Sequence, residues 1–224
     1  MRDLIKSPAF PYVAPFILFL IIFLMLGGIH DLAKYFLHPI SVLVVGGTLW
    51  FHRKVYPKIE IKRPVETIAL GLLGTVLWIY LFVVPEDTSE GFNPFKEFSQ
   101  PLAIFFLISR LIGFALVTPF MEEIFWRGFL MRILIKEDDR SLKEKDWREL
   151  PLGQYGHFSF WATTVLFVFA HATAQETVAS ISFALLAGGW FLKTKSLGDV
   201  ILLHAVTNLS LAGYVLVTQK WYFW

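Results

Sequence analysis

Residues 200–219 read VILLHAVTNLSLAGYVLVTQ and contain no Asp, Glu, Lys or Arg. Two further stretches, 7–29 and 67–85, also lack these four residue types. Each stretch is close to the ~20 residues that an α-helix needs to cross the hydrocarbon core of a bilayer. The sequence therefore predicts an all-α, polytopic membrane protein.

Composition supports this class and excludes several others. Of the 224 residues, 56% are hydrophobic and only 17% are charged, whereas a soluble domain carries roughly 25% charged residues. The net charge of +2 is too small, and the basic residues too dispersed, to indicate a nucleic-acid partner. Because the chain has no cysteine, disulfides, thiolate metal sites and a cysteine nucleophile are all excluded.

The apolar stretches predict about seven spans in a single membrane domain, residues 1–224. The region 101–135 is too long for one straight span, and Pro119 lies within it. Because proline disturbs the hydrogen bonding of a helix interior, we expect a bent helix that leaves the membrane as a basic segment. The predicted spans are 10–29, 34–51, 66–84, 101–121, 158–172, 177–193 and 198–218.

The distribution of Lys and Arg predicts the topology. Sixteen of the 20 basic residues fall in four alternate segments of this arrangement, 2–6, 53–63, 127–148 and 193–195. Since cytoplasmic loops accumulate Lys and Arg, we expect a plasma-membrane protein with a cytoplasmic N-terminus and an external C-terminus. The loop at about 136–157 is then cytoplasmic, and we expect a short helix within it.

Ionisable residues inside spans are functional candidates, because they are destabilising unless paired or used. Glu123 and Arg127 are four residues apart and can pair on one helix face. Glu122 points about 100° away and is free to meet another helix. The alternative interpretation is a helix end that carries a salt bridge at the cytoplasmic interface.

Two later spans carry polar side chains that complement these carboxylates. His171 follows Phe167 by one turn, and His204 and Asn208 share one face of the last span. We expect Glu122 to meet both groups. A carboxylate can activate water, a histidine can transfer protons or bind metal, and an amide can stabilise an oxyanion. The alternatives are a packing histidine bonded to a carbonyl, and hydrogen bonds that only join helices. The chain has no H-E-x-x-H motif and no serine–histidine pair placed for nucleophilic catalysis.

In order and context, these residues resemble the three motifs of the CPBP intramembrane proteases. That family includes type II CAAX prenyl endopeptidases and bacteriocin-processing or immunity proteins. The resemblance covers about residues 100–212, and the start of the chain is similar to a bacterial branch found with exosortase systems. The matching motifs are Glu122-Glu123-x-x-x-Arg127, Phe167-x-x-x-His171 and His204-x-x-x-Asn208.

The resemblance implies an intramembrane endopeptidase that acts on a membrane-associated peptide or protein. Glu122 is then the base that activates water, with His171 assisting. His204 and Asn208 stabilise the oxyanion, and Glu123, Arg127 and Phe167 support the site.

Two questions stay open at the level of sequence. The first is the cofactor: the glutamate–water mechanism needs none, although two histidines and a glutamate (Glu122, His171, His204) could hold zinc. The second is the activity itself, since a non-catalytic immunity or scaffold protein of the same fold, or a small proton-coupled transporter, is the alternative.

Overall fold

A computed structural model describes residues 6–27, 33–84, 91–136, 146–171, 173 and 175–223. Within these ranges the regular structure is entirely helical, as predicted. The eight helices are α1 (Phe10–Gly27), α2 (Ala33–His52), α3 (Pro64–Leu81), α4 (Pro94–Glu97), α5 (Gln100–Ile133), α6 (His157–Ala170), α7 (Thr177–Thr194) and α8 (Leu197–Thr218). A 3₁₀ turn, Trp221–Phe223, follows α8.

Each of the seven predicted spans overlaps one apolar helix; residues 28–29 and 172 of these spans lie outside the described residues. Five of these helices (α2, α3, α5, α7 and α8) contain a segment of 18 residues or more that is apolar enough to cross a membrane. The apolar helices Phe10–Met25 and His157–Ala170 are shorter. The protein is therefore a multi-pass membrane protein, and the count of seven crossings stays a prediction.

Helix α5 corresponds to the long apolar region that contains Pro119, and its bend stays a prediction. Its backbone stays helical from Gln100 to Ile133 but contains two π-helical segments, Gly113–Val117 and Ile124–Leu130. The first ends just before Pro119, whose ring would clash with a carbonyl of the preceding turn in a regular α-helix. A π-helical turn is wider, and such turns are frequent at functional sites. The Glu122-Glu123 pair lies between the two segments.

Helices α3 and α8 pack closely because glycines of α3 face α8. A Cβ atom on Gly71 would lie 2.7 Å from Val206 Cβ, and one on Gly74 would lie 2.7 Å from Thr207 Oγ1. The close approach permits hydrogen bonds between the helices: Thr207 Oγ1 donates to Gly71 O (2.9 Å) and Thr75 Oγ1 donates to Thr207 O (3.0 Å). Small residues and hydroxyl groups are the usual means of helix association in membranes.

The described parts of three basic segments, 53–63, 127–148 and 193–195, lie at one end of the bundle beside the start of α1; residues 2–5 of the fourth lie outside the described residues. Tyr56 donates a hydrogen bond to Pro11 O (2.8 Å), and the ring of Tyr12 contacts Trp147 (5.2 Å). Lys62 donates to the carbonyls of Thr194 (3.3 Å) and Lys195 (3.2 Å). The relative placement of these segments agrees with the predicted alternation, and their assignment to the cytoplasm stays a prediction.

The loop that contains the predicted short helix is described only from residue 146 onward. Residues 146–156 form turns and bends, so the predicted helix is not found there; 137–145 lie outside the described residues. The Arg148 guanidinium binds Asp146 (2.6 Å) and lowers the pKa of that exposed carboxyl to about 2. Arg132 anchors the loop to α5 by donating to the carbonyls of Arg148 (2.6 Å) and Leu150 (2.9 Å).

Candidate active site

Glu123 is the centre of a buried polar network and is fully inaccessible to solvent. Arg127 Nη1 donates to its Oε1 (3.0 Å) and lies 2.9 Å from Oε2. The predicted pairing of Glu123 with Arg127 is therefore confirmed. Both partners are more than nine-tenths buried, so each charge is compensated by the other in an environment without water.

The same carboxylate also meets His204 of α8, with 2.8 Å between Glu123 Oε1 and His204 Nδ1. The sequence predicts Glu122 as the partner of His204, and in this respect the structure differs. A carboxylate has about four acceptor positions, so pairing with Arg127 along the helix leaves room for a second donor from a facing helix. Glu123 thus joins α5 to α8.

The bond to Glu123 also sets the tautomer of His204. A carboxylate can only accept, so Nδ1 carries the hydrogen. In the neutral ring Nε2 is then an acceptor, and in the doubly protonated ring it is a donor. Only 5% of His204 is exposed, so this orientation is held inside the bundle.

Glu122 is 7% exposed. Its Oε2 atom is buried and has no hydrogen-bond partner among the described residues. Oε2 of Glu123 also has no hydrogen-bond partner among them, but it lies 2.9 Å from the Arg127 guanidinium. Within the same ranges Glu122 has no such ion pair. A buried carboxylate oxygen without a donor is destabilising in an apolar medium. Such an atom is available for a ligand, a water molecule or a substrate group.

Phe167 connects the second motif to the other two. Its ring stacks on His171 (centroid distance 4.4 Å) and on Phe183 (5.8 Å), and the Phe183 ring contacts His204 (4.7 Å). The Arg127 guanidinium lies 5.2 Å from the centre of the Phe167 ring. One residue of each motif (Arg127, His171 and His204) therefore lies against one aromatic cluster, defined here as Phe167 and Phe183.

His171 ends α6 and is partly buried. Its Nδ1 lies 2.9 Å from Phe167 O, which matches the packing alternative raised from the sequence. Since a carbonyl only accepts, Nδ1 carries the hydrogen and Nε2 of the neutral ring is an acceptor. The described part of the chain gives His171 no hydrogen bond to Glu122 or Glu123, so its contribution to the site stays a prediction.

Asn208 binds the first π-helical segment of α5. Its Nδ2 donates to Phe114 O (2.8 Å). An amide group has two N–H donors, so one hydrogen remains for another acceptor. The bond fixes the plane of the amide on the face of α8 that also carries His204.

The possible zinc ligands do not come together in this geometry. Within the described ranges, no group of three or more His, Asp or Glu side chains lies close enough to hold an ion. His204 Nδ1 is bound to Glu123 and His171 Nδ1 lies on a carbonyl, so Nε2 is the nitrogen that each ring has left. The predicted set of Glu122, His171 and His204 is not gathered closely enough to hold an ion among the described residues, and metal dependence stays a prediction.

Sequence reasoning missed two elements of this site. The first is the pair of π-helical segments, which no residue pattern in the sequence indicates. The second is Trp126, and the sequence signal for it is its position one turn beyond Glu122. In the structure Trp126 is 3% exposed, and its indole N–H is also without a partner among the described residues.

Comparison with known protein families gives a match in the part of the chain that carries the site. Residues 104–210 match a family model named Rce1-like, whose description is type II CAAX prenyl endopeptidase Rce1-like. The match is just under half of the chain and contains all three motifs, from Glu122 to Asn208. No curated protein and no solved structure matches the chain.

Proposed function

Since residues 104–210 match the Rce1-like type II CAAX prenyl endopeptidase family model, we propose that the chain is an intramembrane endopeptidase. It hydrolyses a peptide bond of a membrane-associated protein by means of a water molecule activated by Glu122. The observation that carries this proposal is the buried, unpartnered Oε2 atom of Glu122 beside the oriented Glu123–His204 pair. Whether the substrate is prenylated, and whether the chain belongs to the exosortase-associated branch, stay open predictions.

In the proposed reaction Glu122 accepts a proton from water while the water oxygen attacks the carbonyl carbon of the peptide bond. The carbonyl oxygen becomes the oxyanion of a tetrahedral intermediate. The proton then passes to the amine nitrogen, with His171 assisting, as the C–N bond breaks. The products are a new carboxylate and a new amine.

His204 and Asn208 are proposed to stabilise the oxyanion. The doubly protonated ring of His204 donates from Nε2, and the Glu123 carboxylate compensates its charge from the Nδ1 side, as a carboxylate does for the histidine of a catalytic triad. Asn208 donates the amide hydrogen that Phe114 O does not take. Arg127 holds Glu123 in place, and Phe167 supports Arg127 and His171.

The proposed setting is the plasma membrane, with the end that carries the basic segments in the cytoplasm. One membrane domain spans the chain, with the catalytic part at about 100–212. His204 is seven residues into α8 from that end, or ~10 Å at ~1.5 Å per residue. We therefore expect the site to open toward the cytoplasmic half of the bilayer.

Replacement of Glu122 tests the proposal by a comparison that does not require an identified substrate. Cells that lack the protein are complemented with wild type, Glu122→Gln or Glu66→Gln, and the termini of membrane proteins are compared by mass spectrometry. Glu66 is the matched control, because it is an exposed carboxylate on α3. Uncleaved precursors should accumulate with Glu122→Gln and disappear with Glu66→Gln.

Two outcomes would contradict the proposal. Full complementation by Glu122→Gln would favour a non-catalytic immunity or scaffold protein, and proton flux lost in Glu122→Gln vesicles without any precursor would favour a transporter. The proposed reaction needs no metal, so EDTA should leave cleavage by the purified protein unchanged. Loss that added zinc restores would overturn that part of the mechanism.

A further inference from the structure

Apart from Glu123 Oε2, which is ion-paired with Arg127 (2.9 Å), three buried polar atoms near the proposed site have no hydrogen-bond partner in the described part of the chain. They are Glu122 Oε2, Trp126 Nε1 and Thr163 Oγ1. Their residues are at most 7% exposed. Buried polar groups are nearly always satisfied, by protein or by ordered water. Three such atoms in one region therefore indicate a bound polar molecule.

Glu122 and Trp126 belong to α5, and Thr163 belongs to α6. Glu122 and Trp126 are four residues apart, the same offset at which Glu123 and Arg127 meet across this part of α5. The Trp126 ring contacts Phe167 of α6 (5.6 Å). Thr163 is four residues before Phe167 and so lies on the same face of α6.

The chemistry of the atoms limits what can join them. An indole N–H only donates, an ionised carboxylate oxygen only accepts, and a hydroxyl does both. A water molecule is both donor and acceptor and binds well where two to four polar partners surround it. It can accept from Trp126, donate to Glu122 and bond to Thr163 at the same time.

We propose that Trp126 is a positioning residue for the hydrolytic water, held between its indole N–H and the Glu122 carboxylate. This deepens the proposed function and rests on it. The indole N–H occupies one lone pair of the water oxygen and directs one hydrogen toward Glu122 Oε2. The second lone pair is left to attack the substrate carbonyl. Thr163 completes the site from α6.

The first experiment measures the site without any substrate. The full-length protein in detergent, labelled with ¹⁵N-tryptophan, is transferred to deuterated water and exchange of the indole hydrogens is followed by NMR. Trp190 is the internal control, since its Nε1 donates to the buried Thr67 hydroxyl (3.0 Å). The Trp126 signal, identified by its absence in Trp126→Phe, should exchange faster than that of Trp190 and should shift in Glu122→Gln. Protection equal to that of Trp190, with no shift, would overturn the proposal.

The second experiment measures turnover of a farnesylated CAAX-type peptide in proteoliposomes. Trp126→Phe keeps an aromatic ring against Phe167 and removes the N–H together with two ring carbons. The lost volume should lower Tm, as it should in Trp190→Phe, which is the size-matched control. We expect kcat of Trp126→Phe to fall about tenfold, the effect of one hydrogen bond, with KM unchanged, whereas Trp190→Phe should keep the wild-type kcat.

The two proposals fail in different ways. Loss of cleavage in Glu122→Gln together with wild-type kcat in Trp126→Phe would reject the role of Trp126 alone. Cleavage retained in Glu122→Gln would reject the proposed function, and the exchange of the Trp126 hydrogen would still decide whether water is bound there. If the peptide is not cleaved by wild type, the exchange experiment decides the proposal by itself.

Discussion

Helices α2 and α8 are both long enough to span a bilayer, but they bury different shares of their surface. In the membrane-length segment of α2, 17% of the residues are buried, whereas in that of α8 the share is 50%. Helix α2 therefore presents most of its side chains to lipid. Helix α8 is surrounded by protein, and there His204, Thr207 and Asn208 find partners. A polar site inside a membrane needs this enclosure, because lipid offers no hydrogen bonds.

Helix α5 combines both kinds of surface. In the membrane-length apolar segment of α5 only 22% of the residues are buried, yet Met121, Glu122, Glu123 and Ile124 are all buried. The enclosed stretch is the one that faces α8. Lipid-facing and enclosed surfaces therefore occur within one helix as well as on different helices. Substitutions on the two kinds of surface should differ in their effect on turnover and stability.

The largest expected effect is that of Asn208→Ala on turnover. If the free amide hydrogen binds the oxyanion, kcat should fall on the order of 10²–10³. Ser41→Ala is the comparison on α2, because Ser41 is also a buried polar residue but belongs to the lipid-facing region. It should leave kcat unchanged. Equal kcat values for the two variants, measured with the same substrate in proteoliposomes, would remove Asn208 from the mechanism.

Next in size is the effect of Glu123→Gln on stability. The substitution leaves the Arg127 charge buried without a counterion, and breaking a buried pair in this way costs roughly 3–5 kcal/mol. Thermal unfolding in detergent should show a clear fall in Tm, and turnover should fall as well because His204 loses its orientation. The exposed Glu66→Gln should melt like wild type. A Glu123→Gln protein of unchanged Tm would contradict the network described here.

The smallest effect concerns helix packing rather than charge. In Gly71→Ala the new Cβ would meet Val206 Cβ at 2.7 Å and Leu203 O at 2.9 Å, so α3 and α8 must separate. Overpacking of this kind costs about 1–3 kcal/mol. Gly47 of α2 is the control, since a Cβ there meets nothing within 4 Å. Gly71→Ala should lower Tm and Gly47→Ala should not; the same Tm for both would contradict the close contact.

The sequence predicted the features of the fold that depend on the spacing of residues along the chain. Charge-free stretches of bilayer length located the apolar helices, and the offset of four residues predicted the Glu123–Arg127 pair. These two predictions succeeded because each depends on helix geometry or on a pattern several residues long. The family motifs indicated three segments, and one residue of each (Arg127, His171 and His204) lies against the aromatic cluster. The predicted contacts of Glu122 with His171 and His204 are not found among the described residues.

The sequence did not predict which carboxylate meets His204. That contact joins residues 81 positions apart and depends on the rotation of α5 about its axis. Two π-helical segments alter that rotation, and no residue type requires them. The assumption that Glu123 would be fully occupied by Arg127 was also wrong, because one carboxylate can bind donors from two directions.

The bond from Asn208 to Phe114 ends on a backbone carbonyl rather than on a side chain. Every amino acid supplies the same carbonyl, so the side chain at position 114 is free to vary without loss of this bond, as long as the π-helical turn persists. Position 208 has no such freedom, since it must supply an amide donor of the right length. In related chains the residue at position 114 should therefore vary, whereas the residue at position 208 should not.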